Sequence, residues 1–187
     1  MPSLRHACGV GCALSWPALI NSLAHVSIVI PMYNGAGTIA RAIASLRASS
    51  WQQWHAVVVD DGSTDGGRGF ELASELARGD ARISVMRQAN CGLAGARNAG
   101  LDWIAAELDG GRVARPVSDG HYVMLLDCDD TVHATGLERL VQAARGGDAG
   151  AYGAFEMVDG EGVRLAMQQP GRATLDLEGL LDLEFVV

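Results

Sequence analysis

The sequence predicts an α/β domain with a mostly parallel central sheet flanked by helices, and three observations support this fold class. The chain has 187 residues, 49% of them hydrophobic, which is enough material for one well-packed domain. From residue 26 onward, short apolar runs alternate with segments whose apolar residues recur at helical spacing, the order typical of parallel sheets. Glycine is frequent, with 24 residues and no collagen-like period, as expected for turns between strands and helices.

Each strand is predicted from a short apolar run, and each helix from the apolar spacing that follows it. Residues 26–30 form the first strand, which we expect Pro31 to end. Ile39, Ile43 and Leu46 then fall at i, i+4 and i+7 of a helix. The later strands are predicted at 56–59, 83–86, 122–126 and 151–158, and the later helices at 70–76, 94–108 and 137–144. The strand at 122–126 has the strongest of these signals, and we expect it to be buried.

The charges and the cysteines narrow the classes of function. Acidic residues outnumber basic ones by 22 to 14, and the net charge of -8 argues against a nucleic-acid-binding protein. All the basic residues other than histidine are arginine, so P-loop and Schiff-base chemistry, which need lysine, are excluded. Cys8, Cys12, Cys91 and Cys128 form neither a paired disulfide framework nor a metal-ligand spacing, which favours a reduced, cytoplasmic protein.

The first 25 residues are predicted to be an extension that precedes the domain. Residues 7–20 are apolar, but they include Pro17 and are too few to span a bilayer. A weak signal-peptide core is the alternative interpretation of this stretch. We therefore divide the chain into an N-terminal extension at 1–25 and one domain at 26–187.

Three polar clusters follow predicted strands, at the edge where open α/β sheets bind their ligands. The first, residues 31–34, offers the ring of Tyr33 for stacking on a planar base, although such a tyrosine is also a common rim residue. The second, residues 60–65, offers carboxylates to a base or a ribose, and we expect other residues of the same run to cap the next helix. The third, residues 127–130, places three carboxylates at one strand end, which favours Mg²⁺ or Mn²⁺ beside a diphosphate.

A glycine-rich run at 90–98 lies between the second and third clusters. Glycines at the start of a helix, with Arg97 on its first turns, would suit an anionic ligand that approaches backbone N–H groups. The alternative is that Arg97 is an ordinary surface residue.

Together these runs resemble the family 2 glycosyltransferases of the GT-A fold. The resemblance is carried by four motifs in the family's order, VSIVIPMYN at 26–34, VVVDDGSTD at 57–65, NCGLAGARN at 90–98 and LLDCDD at 125–130. It covers about residues 26–158. It implies a UDP-sugar donor and transfer of the sugar, with inversion at the anomeric carbon, to a saccharide or lipid-linked acceptor.

The resemblance also implies roles for single residues on the donor side. The uracil-type base would contact Tyr33 and Asp61, and Pro31 belongs to the same first motif. The first carboxylate of the D-x-D motif, Asp127, would bind the ribose. Arg97 matches an arginine that follows the glycine loop, and we expect it near the diphosphate.

The same motif implies a metal ion, Mn²⁺ or Mg²⁺, held by Asp129 with Asp130 adjacent. The ion would offset the charge that builds on the departing diphosphate. The catalytic base is unknown: in the family it lies C-terminal to the D-x-D motif, and the acidic residues of the amphipathic segment 175–185 are better explained as a solvated helix face. We therefore expect the domain to be truncated at its C-terminus, and we expect residues 109–120 to be an insertion.

Three alternatives remain open on the sequence alone. A catalytically incomplete nucleotide-sugar-binding module would keep the same clusters. A Rossmann NAD-dependent oxidoreductase would use the G-x-G-x-x-A pattern at 35–40 with Asp60 on the ribose. A haloacid-dehalogenase-like phosphatase would use D-x-D-x-T at 127–131, but that class needs a later lysine. For the glycosyltransferase we expect a cytoplasmic location at the inner face of the membrane, by peripheral association, and no nucleic-acid partner.

Overall fold

The computed structural model describes residues 24–110, 120–144, 151, 153–159 and 163–168. Strands and helices alternate along most of this part of the chain, as the apolar spacing predicts. In chain order the elements are β1 (His25–Met32), α1 (Ile39–Arg47), β2 (Trp54–Asp61), α2 (Arg68–Ala77), β3 (Ile83–Gln88), α3 (Gly92–Asp109), β4 (His121–Leu125), α4 (Gly136–Ala144), β5 (Phe155–Val158) and β6 (Arg164–Gln168). The chain divides after Val141 into two compact units.

The first unit contains a four-stranded, fully parallel sheet in the order β3-β2-β1-β4. Its register places Asp61 opposite Gln88 at the end of the β2–β3 pair, and Val29 opposite Leu125 at the end of the β1–β4 pair. Because the strands all run the same way, their carboxyl ends share one edge. The strand order reverses beside β1, and ligands of open α/β sheets bind at such a point.

Pro31 does not end the first strand, contrary to the prediction. β1 continues to Met32, and Pro31 lies opposite Val59 of β2. Val26 N donates to Gln53 O next to β2, so the odd-numbered residues of β1 direct their backbone groups towards β4. Pairing with β4 ends at Val29, and the N–H that proline lacks is therefore not needed by the sheet.

Helices cover both faces of this sheet. On one face, Ile28 and Ile30 of β1 pack with buried residues of α1, α2 and α4. On the other face, Val29 packs with Ala96 and Ile104 of α3. A Cβ at Gly100 of α3 would overlap the side chain of Val29, so this glycine allows the helix to lie close to β1.

The burial predicted for the fourth strand is wrong. Among the described residues, β4 is an edge strand of the sheet, and Val123 and Leu125 are 51% and 46% exposed. An apolar run is consistent with a central strand and with an edge strand, because periodicity does not show how many neighbours a strand has.

The second unit contains a hairpin in which β5 and β6 pair antiparallel. The strand predicted at 151–158 is shorter, and its partner β6 was not predicted because its apolar alternation lasts only five residues. The predicted extension before residue 24, most of the predicted insertion (111–119) and the amphipathic segment at 175–185 lie outside the described residues. The predicted domain boundaries therefore stay predictions. No helix of the described part is long and apolar enough to cross a membrane.

Candidate active site

A cleft of about 370 Å³ lies at the carboxyl edge of the sheet, beside the first turns of α3. Its volume is in the usual range for small-molecule sites. Five of the seven predicted site residues line it: Pro31, Tyr33, Asp61, Asp127 and Asp129. The cleft is also lined by Met32, Asn90, Gly92, Leu93, Ala96 and Cys128. All four sequence motifs therefore meet at one place.

Asp61 ends β2 and lines the cleft while being only 3% exposed. Its Oδ1 accepts two hydrogen bonds, from Gln88 Nε2 at 2.7 Å and from the backbone N of Cys91 at 2.9 Å. The turn after it requires a glycine, because Gly62 has φ of 67° and a Cβ there would lie 2.7 Å from Asn90 N. The end of β2 and the start of α3 are thus tied together through this carboxylate.

The neighbouring Asp60 is directed into the protein instead and is fully buried. Its Oδ1 accepts hydrogen bonds from the backbone N of Ser63, at 3.2 Å, and from the Ser63 hydroxyl. Its Oδ2 lies 2.9 Å from Nε of Arg87, an ion pair without hydrogen-bond alignment. Ser63 Oγ in turn accepts from the backbone N of Asn34 at 2.8 Å, so Asp60 holds the β2 loop against the β1 loop.

Tyr33 lies at the mouth of the cleft, half exposed, on the loop after β1. The loop is fixed by Asn34, which adopts a left-handed φ of 55° and whose Oδ1 accepts from Thr64 N at 2.8 Å. The helix-capping role expected within residues 60–65 belongs to Asp65, which accepts from the backbone N of Gly67 and of Gly69. The tyrosine ring is therefore accessible, on a loop that Asn34 ties to the loop after β2.

The D-C-D-D run that follows β4 is held by two arginines from opposite faces of the sheet. Arg97 of α3 donates from Nη2 to Asp127 Oδ1 at 2.8 Å. Arg41 of α1 donates to the backbone carbonyl of Asp129 at 3.0 Å. Burial, with Asp129 and Asp127 nearby, raises the pKa of Asp130. The three negative charges of this run thus outnumber the two arginines that contact it.

Cys128, between Asp127 and Asp129 of the D-x-D pattern, has a structural position. A Cβ at Gly35 would lie 2.9 Å from its Sγ, and Thr38 Oγ1 donates to that sulfur at 3.9 Å. Burial raises the pKa of the thiol, which keeps it neutral. The cysteine is therefore a packing residue of this loop, whereas Asp127 and Asp129 on either side of it line the cleft together with it.

The carboxylates of the D-C-D-D run partly fit a hard divalent cation. Asp127, Asp129 and Asp130 supply only oxygen ligands, which Mg²⁺ and Mn²⁺ prefer. No group of three or more acidic, histidine or cysteine side chains converges as a complete metal site in the described ranges. Such an ion would therefore take one or two carboxylates and complete its shell with phosphate oxygens and water, as Mg²⁺ does at nucleotide sites.

Three residues of this site were not predicted from the sequence: Arg41, Arg87 and Gln88. Gln88 was predictable, because β3 ends at the same edge as β1 and β2 and its last residue is polar. The two arginines carried no local signal, since Arg41 donates to a carbonyl 88 residues away and Arg87 pairs with Asp60 of the neighbouring strand.

The model for glycosyl transferase family 2 matches residues 27–181. This chain belongs to that family. It is 37% identical over 119 residues to the uncharacterized glycosyltransferase EpsJ of Bacillus subtilis, covering 64% of this chain and 30% of that protein. It is 34% identical over 135 residues to the succinoglycan biosynthesis protein ExoW of Rhizobium meliloti, covering 70% and 37%. The chain spans about a third of the length of the curated relatives it matches.

Solved structures share the fold of this family 2 domain. S. aureus TarS in complex with UDP superposes with a TM-score of 0.51 and 23% identity, over 64% of this chain and 32% of that one. GalNAc-T7 with UDP, GalNAc and Mn²⁺ gives a TM-score of 0.51 and 20% identity, over 66% and 21%. The predicted GT-A-like fold, with its mostly parallel sheet between helices, is confirmed.

Proposed function

We propose that this domain binds the UDP-sugar donor of an inverting glycosyltransferase, together with Mn²⁺ or Mg²⁺. The sugar then passes to a saccharide or lipid-linked acceptor. One observation carries the proposal: four motifs, spread from residue 26 to residue 130, surround a single cleft at the strand-order reversal of the sheet. The names of the relatives and the UDP bound to TarS and GalNAc-T7 support it.

The nucleoside end of the donor fits the wall formed by β1 and β2. Tyr33 offers a ring face on which a base can stack, and Asp61 offers a carboxylate oxygen to a base N–H. Asp127 lies across the cleft at the end of β4, where its carboxylate can accept from ribose hydroxyls while Arg97 holds it. Pro31 and Met32 line the apolar part of the same wall.

The diphosphate end fits the D-C-D-D loop. Asp129, with Asp130 beside it, is the proposed ligand of the cation. When bound, the cation neutralises charge on the departing diphosphate. Arg97 pairs with Asp127 beside this loop, which brings a positive charge near the proposed position of the diphosphate.

Transfer itself needs an acceptor hydroxyl that attacks the anomeric carbon on the side opposite the leaving diphosphate, which inverts that carbon. A carboxylate must remove the proton of that hydroxyl. We assign this role to no described residue. The name of ExoW, a succinoglycan biosynthesis protein, supports a glycan acceptor. A cytoplasmic location at the inner face of the membrane is part of the same proposal and rests on the cysteine usage.

One alternative loses support from the geometry of Asp60. An NAD-dependent oxidoreductase would use this residue to bind a ribose. The carboxylate is fully buried and already contacts Ser63 and Arg87. A catalytically incomplete binding module differs from an enzyme only in turnover, and the experiment below separates the two.

The test has a binding part and a turnover part. By calorimetry, UDP should bind with Mn²⁺ and bind weakly in EDTA, and NADH should bind more weakly than UDP. Equal UDP binding in both buffers, or tighter binding of NADH, would contradict the proposal. UDP release is then followed with and without saccharide and lipid-linked acceptors. Acceptor-dependent release identifies a transferase, whereas binding without it identifies a binding module.

A further inference from the structure

We infer that Gln88 is a positioning residue for base specificity. Gln88 and the Cys91 N–H both donate hydrogen bonds to one oxygen of the Asp61 carboxylate. The other oxygen is then left to accept from a base that has a single imide N–H. Uracil has such an edge, and guanine does not. This inference rests on the proposed function, and it names the residue that would make the donor site prefer uridine nucleotides to guanosine nucleotides.

The two oxygens of the Asp61 carboxylate differ in their hydrogen bonds. It is 3% exposed and lines the cleft, and Oδ1 accepts from Gln88 Nε2 at 2.7 Å and from Cys91 N at 2.9 Å. Each carboxylate oxygen has about two lone-pair positions, so two donors fill Oδ1. Oδ2 accepts no hydrogen bond from the described residues and is not one of their fully buried unpaired atoms, so it is open to the cleft that Asp61 lines. One acceptor therefore remains for the ligand.

The oxygen that accepts these two hydrogen bonds, Oδ1, is held in place. Gln88 and Asp61 are register partners at the end of the β2–β3 pair, and the Cys91 N–H belongs to the residue that precedes α3. A strand and a helix start thus hold Oδ1 from two directions. Rotation of the carboxylate to present both oxygens to the cleft would break both hydrogen bonds.

Uracil and guanine differ in the number of hydrogen-bond donors that they present to a carboxylate. The N3–H of uracil is one donor between two carbonyl groups, and one carboxylate oxygen satisfies it. Guanine presents two adjacent donors, N1–H and the amino group, which together match two carboxylate oxygens. With Oδ1 filled, one guanine donor would be buried without a partner, and sites discriminate strongly through such unpaired groups.

Calorimetry with the full chain and Mn²⁺ tests this. UDP and GDP are titrated into the unmodified protein, into Gln88→Leu, which keeps the side-chain size and removes the donor, and into the control Gln53→Leu. Gln53 is an exposed glutamine next to the amino end of β2. We expect the unmodified protein and the control to prefer UDP by about tenfold, the effect of one lost hydrogen bond. In Gln88→Leu the preference should fall to about twofold or less.

The ratio of affinities separates a specific role from a general loss of structure, which would weaken UDP and GDP alike. A UDP analogue methylated at N3 gives a readout that needs no variant, and the unmodified protein should bind it about tenfold more weakly than UDP. If UDP and GDP bind the unmodified protein equally, or Gln88→Leu keeps the full preference, the role of Gln88 is wrong while the proposed function stands. If neither nucleotide binds, the proposed function itself fails.

Discussion

The two ends of the parallel sheet both place polar side chains at buried positions, but they leave them in different states. At the amino end, His121 Nε2 lies 2.6 Å from Ser27 Oγ, and His55 stacks on Trp103 with ring centroids 5.1 Å apart. Burial lowers the pKa of His25, His55 and His121, so all three are neutral at pH 7. His25 Nε2 and Trp54 Nε1 at this end are buried without a hydrogen-bond partner among the described residues, but neither residue lines the cleft.

At the carboxyl end the protein leaves acceptors open. Asp61 uses one oxygen for protein contacts, Asp127 shares one with Arg97, and Asp129 is held through its backbone carbonyl. Burial, together with the nearby charges of Asp129 and Asp127, raises the pKa of Asp130. From this difference we expect the amino end to contribute to stability and the carboxyl end to bind the proposed ligand. Substitutions should therefore separate the free energy of unfolding from nucleotide affinity.

The largest expected effect is on the metal-dependent part of binding. Asp129→Ala removes the carboxylate proposed to bind the cation, and we expect UDP affinity in Mn²⁺ to fall by about 100-fold, close to 2.7 kcal/mol. Affinity in EDTA should not change. Asp102→Ala, at an exposed position on α3, is the matched control and should change neither value. Calorimetry measures the affinities and a thermal melt the stability. A large loss of stability in Asp129→Ala would contradict the division between the two ends.

A smaller effect separates two adjacent carboxylates by the same substitution. Asp60→Asn removes the ion pair with Arg87 while keeping an oxygen for Ser63, and it should lower the free energy of unfolding by about 1–2 kcal/mol. Asp61→Asn keeps an acceptor for Gln88 and replaces the open oxygen by a donor. It should weaken uridine binding by about 1–3 kcal/mol with little effect on stability. Denaturant unfolding and calorimetry distinguish the two outcomes, and identical profiles for both variants would refute the assigned roles.

The sequence predicted much of the fold because the strands and helices of the first unit have clear apolar periods. Ile39, Ile43 and Leu46 are buried as their spacing indicates. The path of β1 past Pro31 and the exposure of Val123 were not predictable in this way, because both depend on which strand lies alongside and how far the pairing extends.

The site was predictable to a similar degree and for a related reason. Parallel strands place their carboxyl ends together, so polar residues such as Tyr33, Asp61 and Asp127 could be expected to share one cleft. Which of two adjacent aspartates faces the cleft depends on the pleat of β2, and the resemblance, not the spacing, indicated Asp61. Contacts such as Arg87 with Asp60 depend on the register of β2 against β3, which the apolar spacing does not predict.

The smallest expected effect is the pH dependence of stability at the amino end. Burial, with the positive charges of His121 and His55 nearby, lowers the pKa of His25 to about 4, whereas an unfolded chain has about 6.5. Between these values the unfolded chain binds more protons, so the free energy of unfolding is full above pH 6.5 and falls as the pH drops towards 4. We expect His25 to contribute about 1 kcal/mol of this loss, allowing for its partial exposure to solvent.

His25→Gln should flatten the slope of the free energy of unfolding against pH, measured by denaturant unfolding at pH 4.5 to 7, while His133→Gln, an exposed control, should not. UDP affinity at pH 7 should be the same in both variants, because His25 lies at the opposite end of the sheet from the cleft and His133 does not line the cleft. An unchanged slope in His25→Gln, or a loss of UDP affinity, would show that the two ends are not independent.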